Sequence, residues 1–211
     1  MKKKYYITTP IYYPSAKPHM GHAYSSISAD FIARYKRLEG YDVKFITGTD
    51  EHGQKIQKSA DKRKLSPDVF CNEISKVFLD LTKTLNLSNT DFIRTTEIRH
   101  HKTVQKLWKI LEEKKFIYLS KYSGWYSVSD EAFYTESEIV EKDNIKLCEV
   151  SGSVVEWVEE ESYFFKLSEF QNLLLKHYED NPEFIQPSSR RNEVMSFVKG
   201  GLNDLSVSRN S

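Results

Sequence analysis

"KYYITTPIYYPSAKPHMGHAYSSISADFIARYKRLEGYDVKFITGTDEHG", residues Lys4–Gly53, reads as a strand, a loop, a helix and a second strand. KYYITT sets aromatic and β-branched residues behind a charged lead-in, the composition of a short strand. Pro10, Pro14 and Pro18 then forbid regular pairing, because each lacks a backbone donor and restricts the residue before it. From Met20 to Glu39, the apolar residues Ile27, Phe31, Ile32, Tyr35 and Leu38 recur at helical spacing, and Gly40 stops the helix. DVKFITGT, residues 42–49, alternates early and is apolar late, as a partly buried strand does. Strand, helix and strand in this order predict a βαβ unit with a parallel pair.

His19 and His22 stand at the mouth of that helix, with Gly21 between them. A helix N-terminus has unpaired N–H groups and a partial positive charge, and both favour phosphate. Two imidazoles on the first turn add donors for the same anion. Such a site suits a nucleotide whose α-phosphate becomes more negative in a transition state. Gly21, without a side chain, lets a ligand approach the backbone closely. As a zinc pair the histidines are poor, since no third ligand lies nearby and HExxH is absent; GxGxxG and the P-loop are absent too. TGTDEHG puts Asp50, Glu51 and His52 at the carboxyl end of the second strand, where parallel sheets bind ligands. A carboxylate there can hold a ligand ammonium by a charge-assisted hydrogen bond. A polar turn, with the aspartate capping the next helix, is the alternative for these residues.

Farther along, GQKIQKSADKRK reads as a helix, and Ser66 and Pro67 read as cap and first residue of the next. That helix carries Val69, Phe70, Ile74, Val77, Phe78 and Leu81 on one face. Another begins at a threonine cap in TTEIRHH and runs to about Lys115, with His100 and His101 on or near a solvated face. Phe116 to Leu167 is rich in Tyr and Ser and alternates like strands. Ser168 is expected to cap SEFQNLLLKHYED; SSRRNEVMSFVKG is a further capped helix ending at Gly200 and Gly201; DLSVSR reads as a strand. A doubly wound domain needs more strands than these, so the fold is expected to be incomplete toward the C-terminus.

Composition bounds the function only loosely. The 211 residues are 39% hydrophobic and 29% charged with formal net charge +1, which neither requires nor excludes nucleic acid. Cys71 and Cys148 form no CxxC pair. Without a signal peptide or an apolar run of membrane length, a cytoplasmic chain with reduced thiols and no membrane partner is expected.

The stretch from Thr8 to Gly53, with DFIRTTEIRHHKTVQKLW, GWYSVSDEAFYTESEI, YFFKLS and RRNEVMSFVKGGLNDLSVSR, resembles the methionyl-tRNA synthetases, a family of class I aminoacyl-tRNA synthetases, over nearly the whole chain. The resemblance implies an α/β fold in three parts. Residues 1–115 would be the first half of a Rossmann-type parallel sheet, 116–167 a β-rich connective insertion, and 168–211 a helical segment leading back to the catalytic domain. It implies a methionine-tRNA ligase that uses ATP with Mg2+ to make methionyl-adenylate and passes the methionyl group to tRNA(Met), with no stable protein partner. His19, Met20, Gly21 and His22 stand where the family's HIGH motif binds ATP, with His19 and His22 in the catalytic role. Pro10, Ile11 and Tyr13 match a loop of the methionine pocket, and Asp50 matches the carboxylate that holds the methionine amino group; Glu51 and His52 receive no role.

Two departures from the family stand out. Its zinc-knuckle positions read Ser127, Asp130, Cys148 and Ser151. Structural zinc takes about four N or S ligands, so no zinc is expected, and Tyr122, Trp125, Tyr126, Phe133, Tyr134 and Trp157 are expected to form an aromatic core instead. The KMSKS motif is missing, so the 211 residues alone are expected to be inactive. The alternatives are a small adenylyltransferase, which would lack the GWYSVSDEAFYTE segment, and a non-catalytic nucleotide-binding or interaction module derived from the same fold.

Overall fold

The computed structural model describes residues 2–130, 132–142 and 145–208, with the side chains of Tyr122 and Glu160 outside that description. Two compact units divide the chain, Met1–Gln105 and Lys106–Ser211.

In the first unit the βαβ reading holds. Strand β1 (Lys4–Thr8), helix α1 (Met20–Leu38) and strand β2 (Asp42–Thr49) follow in order, and β1 pairs parallel with β2 from Lys4↔Asp42 to Thr8↔Ile46. Helices α2 (Gln54–Lys62) and α3 (Pro67–Thr84) come next. A third strand, β3 (Asp91–Arg94), pairs parallel with β2 from Ile46↔Asp91 to Thr49↔Arg94, giving the sheet order β1-β2-β3. Sequence reading misses β3, because four residues are too few to show a period and its ladder is supplied by β2. Gly48 makes that ladder possible: a Cβ there would lie 1.9 Å from the Ile93 carbonyl oxygen.

Helix α1 has the expected ends but a different buried face. It buries Ser26, Ala29, Asp30 and Ala33, while Phe31 and Leu38 stay 71% and 87% exposed. Small side chains let the helix lie close to the sheet: Ala29 and Ala33 pack with Val43 and Phe45. Asp30 is tolerated there because the Ser88 N–H and hydroxyl and the Arg34 guanidinium all donate to it. A second cluster joins Tyr12 to Ile56, Ala60, Phe70, Cys71, Ile74 and Phe78 from α2 and α3. Pro67 opens α3 as expected, but the Ser66 side chain makes no capping bond.

Helix α4 (Ile98–Glu113) starts later than a threonine cap would have it, by two residues for Thr95 and by one for Thr96. Thr95 and Thr96 turn their hydroxyls toward Asp50 and Glu51 instead. The unit division falls inside α4, between Gln105 and Lys106.

The second unit is built on a long antiparallel pair, β4 (Ile117–Ser127) with β8 (Glu156–Phe165), in register from Ile117↔Phe165 to Tyr126↔Glu156. β5 (Ala132–Tyr134) extends it beyond β4, while β6 (Ile139–Lys142) and β7 (Ile145–Cys148) form a separate hairpin. Of the expected aromatic core, Trp125 packs edge-on to Trp157 across the ladder and Tyr126 tilts against Phe133; Trp157 is 54% exposed, and the Tyr122 side chain lies outside the described residues. Helices α5 (Gln171–Asp180) and α6 (Ser188–Lys199) follow, and β9 (Leu205–Ser206) returns to pair with β8. Ser168 is not a helix cap: it lies in a 3-10 turn before α5, and both its N–H and its hydroxyl donate to Asp204.

Candidate active site

Parallel pairing brings the carboxyl ends of β1, β2 and β3 to one edge of the sheet, so the loop after β1, Asp50 after β2 and Thr95 after β3 meet there. The loop is stitched across the end of β2. The Thr9 N–H donates to the Ile46 carbonyl (3.2 Å), and its hydroxyl bonds that of buried Thr47 (2.7 Å). Tyr12 rejoins β2 as an isolated parallel bridge opposite Thr49. Its N–H donates to the Gly48 carbonyl (2.8 Å), and its own carbonyl accepts the Asp50 N–H (2.9 Å). Tyr12 is thereby buried, whereas Pro10 and Ile11 are exposed and Tyr13 is half-buried with its hydroxyl donating to the His52 carbonyl.

The histidines build their own helix cap. His19 is the N-cap of α1, in extended backbone (φ −129°, ψ 179°), and His22 is the third residue of the first turn. His19 Nδ1 accepts the Gly21 N–H (3.1 Å), and His22 Nδ1 accepts the His19 N–H (3.0 Å). This is the reciprocal capping box that Ser or Thr with Glu usually makes. It also selects the tautomer. A ring nitrogen that accepts is unprotonated, so in each neutral imidazole the proton lies on Nε2. Both rings, 3.9 Å apart between centroids, therefore present an Nε2–H donor at a helix N-terminus. Burial, and then the charge of neighbouring His19, lower the pKa of His22 and favour this neutral form. Gly21 serves the cap directly: a Cβ there would lie 2.9 Å from His19 Cε1, so the space above it is taken by the His19 ring. Met20 between them is 82% exposed.

The acidic side divides its labour between neighbours. Asp50 is half-buried, and its carboxylate receives the Thr95 hydroxyl (3.4 Å). Asp50 does not cap α2, whose N-cap is Gly53. Glu51 points inward, with a side chain 0% exposed, and is held by the Arg94 guanidinium through both oxygens (2.6 and 2.9 Å). The hydroxyls of Thr49, Ser75 and Thr96 also donate to it. Burial alone would push the Glu51 carboxyl up; Arg94 first, then the hydroxyls, outweigh that and hold it below the ordinary range. The Glu51 N–H donates to Thr95 Oγ1 (2.8 Å), so Thr95 spends its acceptor on Glu51 and its proton on Asp50. Sequence reasoning left Glu51 without a role and missed Tyr12, Arg94, Thr95 and Thr96 as parts of the site. The charged pair DE at a strand end was the available signal; its partner, 43 residues on, was not visible.

In the second unit, Ser127, Asp130, Cys148 and Ser151, the positions that the resemblance assigns to zinc knuckles, come together through hydrogen bonds. Asp130 accepts the hydroxyls of Ser151 (2.6 Å), Ser153 (2.8 Å) and Tyr134 (2.8 Å), while its N–H donates to Ser127 Oγ (3.3 Å). The Ser151 hydroxyl and N–H hold the buried Cys148 thiol below its usual range, and Asp130 raises the Tyr134 phenol to about 12. One thiol, one carboxylate and two hydroxyls, engaged with one another, do not fit a structural zinc ion. Among the described residues no group of three or more His, Cys, Asp or Glu is placed to hold a metal.

A parallel sheet with paired imidazole donors at the opening of its first crossover helix, and a carboxylate at the end of the next strand, defines an α/β protein suited to an anionic ligand beside a cationic one. The sequence model described as tRNA synthetases class I (M) matches residues 5–211, and the chain belongs to that family. It is 56% identical over 209 residues to the methionine–tRNA ligase of Rickettsia prowazekii (strain Madrid E), covering 99% of this chain and 40% of that protein. It is 55% identical over 205 residues to the methionine–tRNA ligase of Rhizobium meliloti (strain 1021), covering 97% and 40%. Among solved structures, the Mycobacterium tuberculosis methionyl-tRNA synthetase in complex with methionyl-adenylate is similar with TM-score 0.94 and 50% identity, over 99% of this chain and 41% of that one. The chain thus spans about 40% of the length of these relatives. Among the described residues no helix is long and apolar enough to cross a membrane.

Proposed function

We propose that the protein containing this chain is a methionine–tRNA ligase, and that these residues form its methionine and α-phosphate subsites. What supports the reading is that Asp50, at the end of β2, and the His19–His22 pair, at the opening of α1, are tied to the same residue, Tyr12, whose carbonyl accepts the Asp50 N–H and whose phenol donates to the His22 carbonyl. Asp50 would hold the methionine ammonium, with Pro10, Ile11 and Tyr13 lining the pocket for its side chain. Met20, Gly21 and the two histidines would meet ATP. The methionine carboxylate then attacks the α-phosphate and pyrophosphate leaves, giving methionyl-adenylate; the terminal ribose hydroxyl of tRNA(Met) later attacks the methionyl carbonyl of that adenylate, and AMP leaves.

No side chain forms a covalent intermediate in this scheme. Alignment does much of the work, and preorganised donors stabilise the charge that grows on the α-phosphate. Loss of one such donor typically costs about 10²–10³ in rate. Because the capping box sets both tautomers beforehand, the rings need no reorganisation as that charge develops. The triphosphate would bring its own Mg2+, which supplies charge neutralisation. The cytoplasm is the compartment this role implies, and no stable protein partner is required.

Calorimetric titration of this chain with methionine and with Mg·ATP tests the assignment. Asp50→Ala is expected to abolish methionine binding and spare ATP, and His19→Ala to do the reverse. Methionine affinity unchanged by Asp50→Ala would overturn it. Since the KMSKS motif is not among these 211 residues, methionine-dependent ATP–pyrophosphate exchange by the purified chain is expected to be undetectable.

A further inference from the structure

Tyr12 touches both halves of the candidate site, although sequence reading assigns it no role. Its carbonyl accepts the Asp50 N–H (2.9 Å). Its phenol reaches α1, bonding Ser26 Oγ (2.8 Å) and donating to the His22 carbonyl (3.3 Å). Its ring meets the His22 imidazole edge-on (4.8 Å) and stacks on Phe78 (5.6 Å), which itself packs edge-on against His22 (5.1 Å). The residue is 7% exposed, and its phenol is bonded to the helix.

We propose that Tyr12 is a positioning residue, a strut that fixes the first turn of α1 against the end of β2 and so sets the spacing between the amine-holding carboxylate and the phosphate-facing imidazoles. The proposal rests on the function given above for Asp50, His19 and His22. The physical basis is that α1 opens after an irregular, proline-interrupted loop, which cannot by itself set the position of its first turn. The ladder at Gly48 and Asp50 fixes the Tyr12 backbone, and the phenol carries that position across to the helix. The phenol acts on the site through His22, whose carbonyl it bonds and whose ring it meets edge-on.

The test compares wild type, Tyr12→Phe and Tyr12→Phe/Ser26→Ala. The double variant removes both buried hydroxyls, so it leaves no stranded polar group at Ser26 and restores stability that the single variant loses. Two readouts are needed. Long-range 1H–15N spectra of the imidazoles report the tautomer and order of His19 and His22 without any ligand. Titration with Mg·ATP and, separately, with methionine reports the two subsites. The expected result is that both variants broaden or shift the His22 ring signals and weaken Mg·ATP binding about 3- to 10-fold, the loss of one ordinary hydrogen bond, with methionine affinity changed less than twofold. If Tyr12→Phe does not fold, the double variant carries the comparison. Unchanged His22 signals in a folded variant, or Mg·ATP affinity restored along with stability in the double variant, would overturn the proposal and leave Tyr12 an ordinary core residue. If wild type binds neither ligand, the proposed function fails for this chain, while the imidazole spectra still decide whether Tyr12 is a strut.

Discussion

Replacing Arg94 by methionine should strand the Glu51 carboxylate in the interior, and the resulting loss of stability should depend on pH in a calculable way. Glu51 has a fully buried side chain, and Arg94 supplies its only cationic partner among the described residues. Removing one member of a buried pair ordinarily costs about 3–5 kcal/mol. The variant has an escape, which is to bind a proton on Glu51. Between pH 7 and an unfolded glutamate pKa of about 4.3 lie about 2.7 pH units, and at about 1.36 kcal/mol each the escape costs about 3.7 kcal/mol. At pH 5 the same escape costs about 1 kcal/mol.

The variant's Glu51 therefore has a folded pKa raised above its unfolded value, and the associated stability is lost as pH rises. In the wild type the folded pKa is depressed, so its contribution is present above about 4.3 and is lost only at more acid pH. Hydrogen exchange of peptides covering residues 42–51 and 91–96 reads this unit by itself. After correction for intrinsic rates, exchange in Arg94→Met should exceed wild type by up to about 500-fold at pH 7 and by about fivefold at pH 5. Loss of the Arg94 bond to Asn72 adds a part that does not vary with pH. Equal acceleration at both pH values would refute the reasoning, because the stranded group would then not be a carboxylate.

Gly48→Ala should break the β2–β3 ladder, since its Cβ would fall 1.9 Å from the Ile93 carbonyl oxygen, and no rotamer relieves a backbone clash; a loss of at least about 3 kcal/mol, at the upper end for overpacking, is expected by urea unfolding. Acidification should dissolve the histidine capping box, because a proton on His22 Nδ1 faces the His19 N–H. The His22 pKa is lowered on folding, so this stability is complete above about 6.5 and is lost as pH falls through the lowered value; the His19 and Gly21 amides should exchange faster at pH 5 than at pH 7.5 relative to the centre of α1, and equal protection would contradict it. Asp130→Ala should return the Tyr134 phenol from about 12 toward about 10, read by NMR titration of its labelled ring carbon.

Local rules were sufficient for much of this protein. Proline spacing, helical periodicity from Met20, Gly40 and the apolar end of DVKFITGT place strand, helix and strand, because each depends on bonding and sterics within a few residues. The same proximity made HMGH and TDE legible as candidate site residues. Where local and distant partners competed, the sequence misled. Thr95, Thr96 and Ser168 look like caps, yet their hydroxyls bond Asp50, Glu51 and Asp204, which only folding brings near. The apolar residues of α1 look like its buried face, yet two alanines allow closer approach to β2 and win the contact.

By itself, then, the amino-acid order determined the βαβ frame and the identity of the histidine and aspartate groups. Only tertiary structure decided the tautomers those histidines hold, the burial of Glu51 against Arg94, and the link through Tyr12. The physical reason is range. Helix and strand signals act over a few residues along the chain, whereas a hydrogen-bonded network is selected by what lies within about 3 Å in space, whatever the distance in sequence.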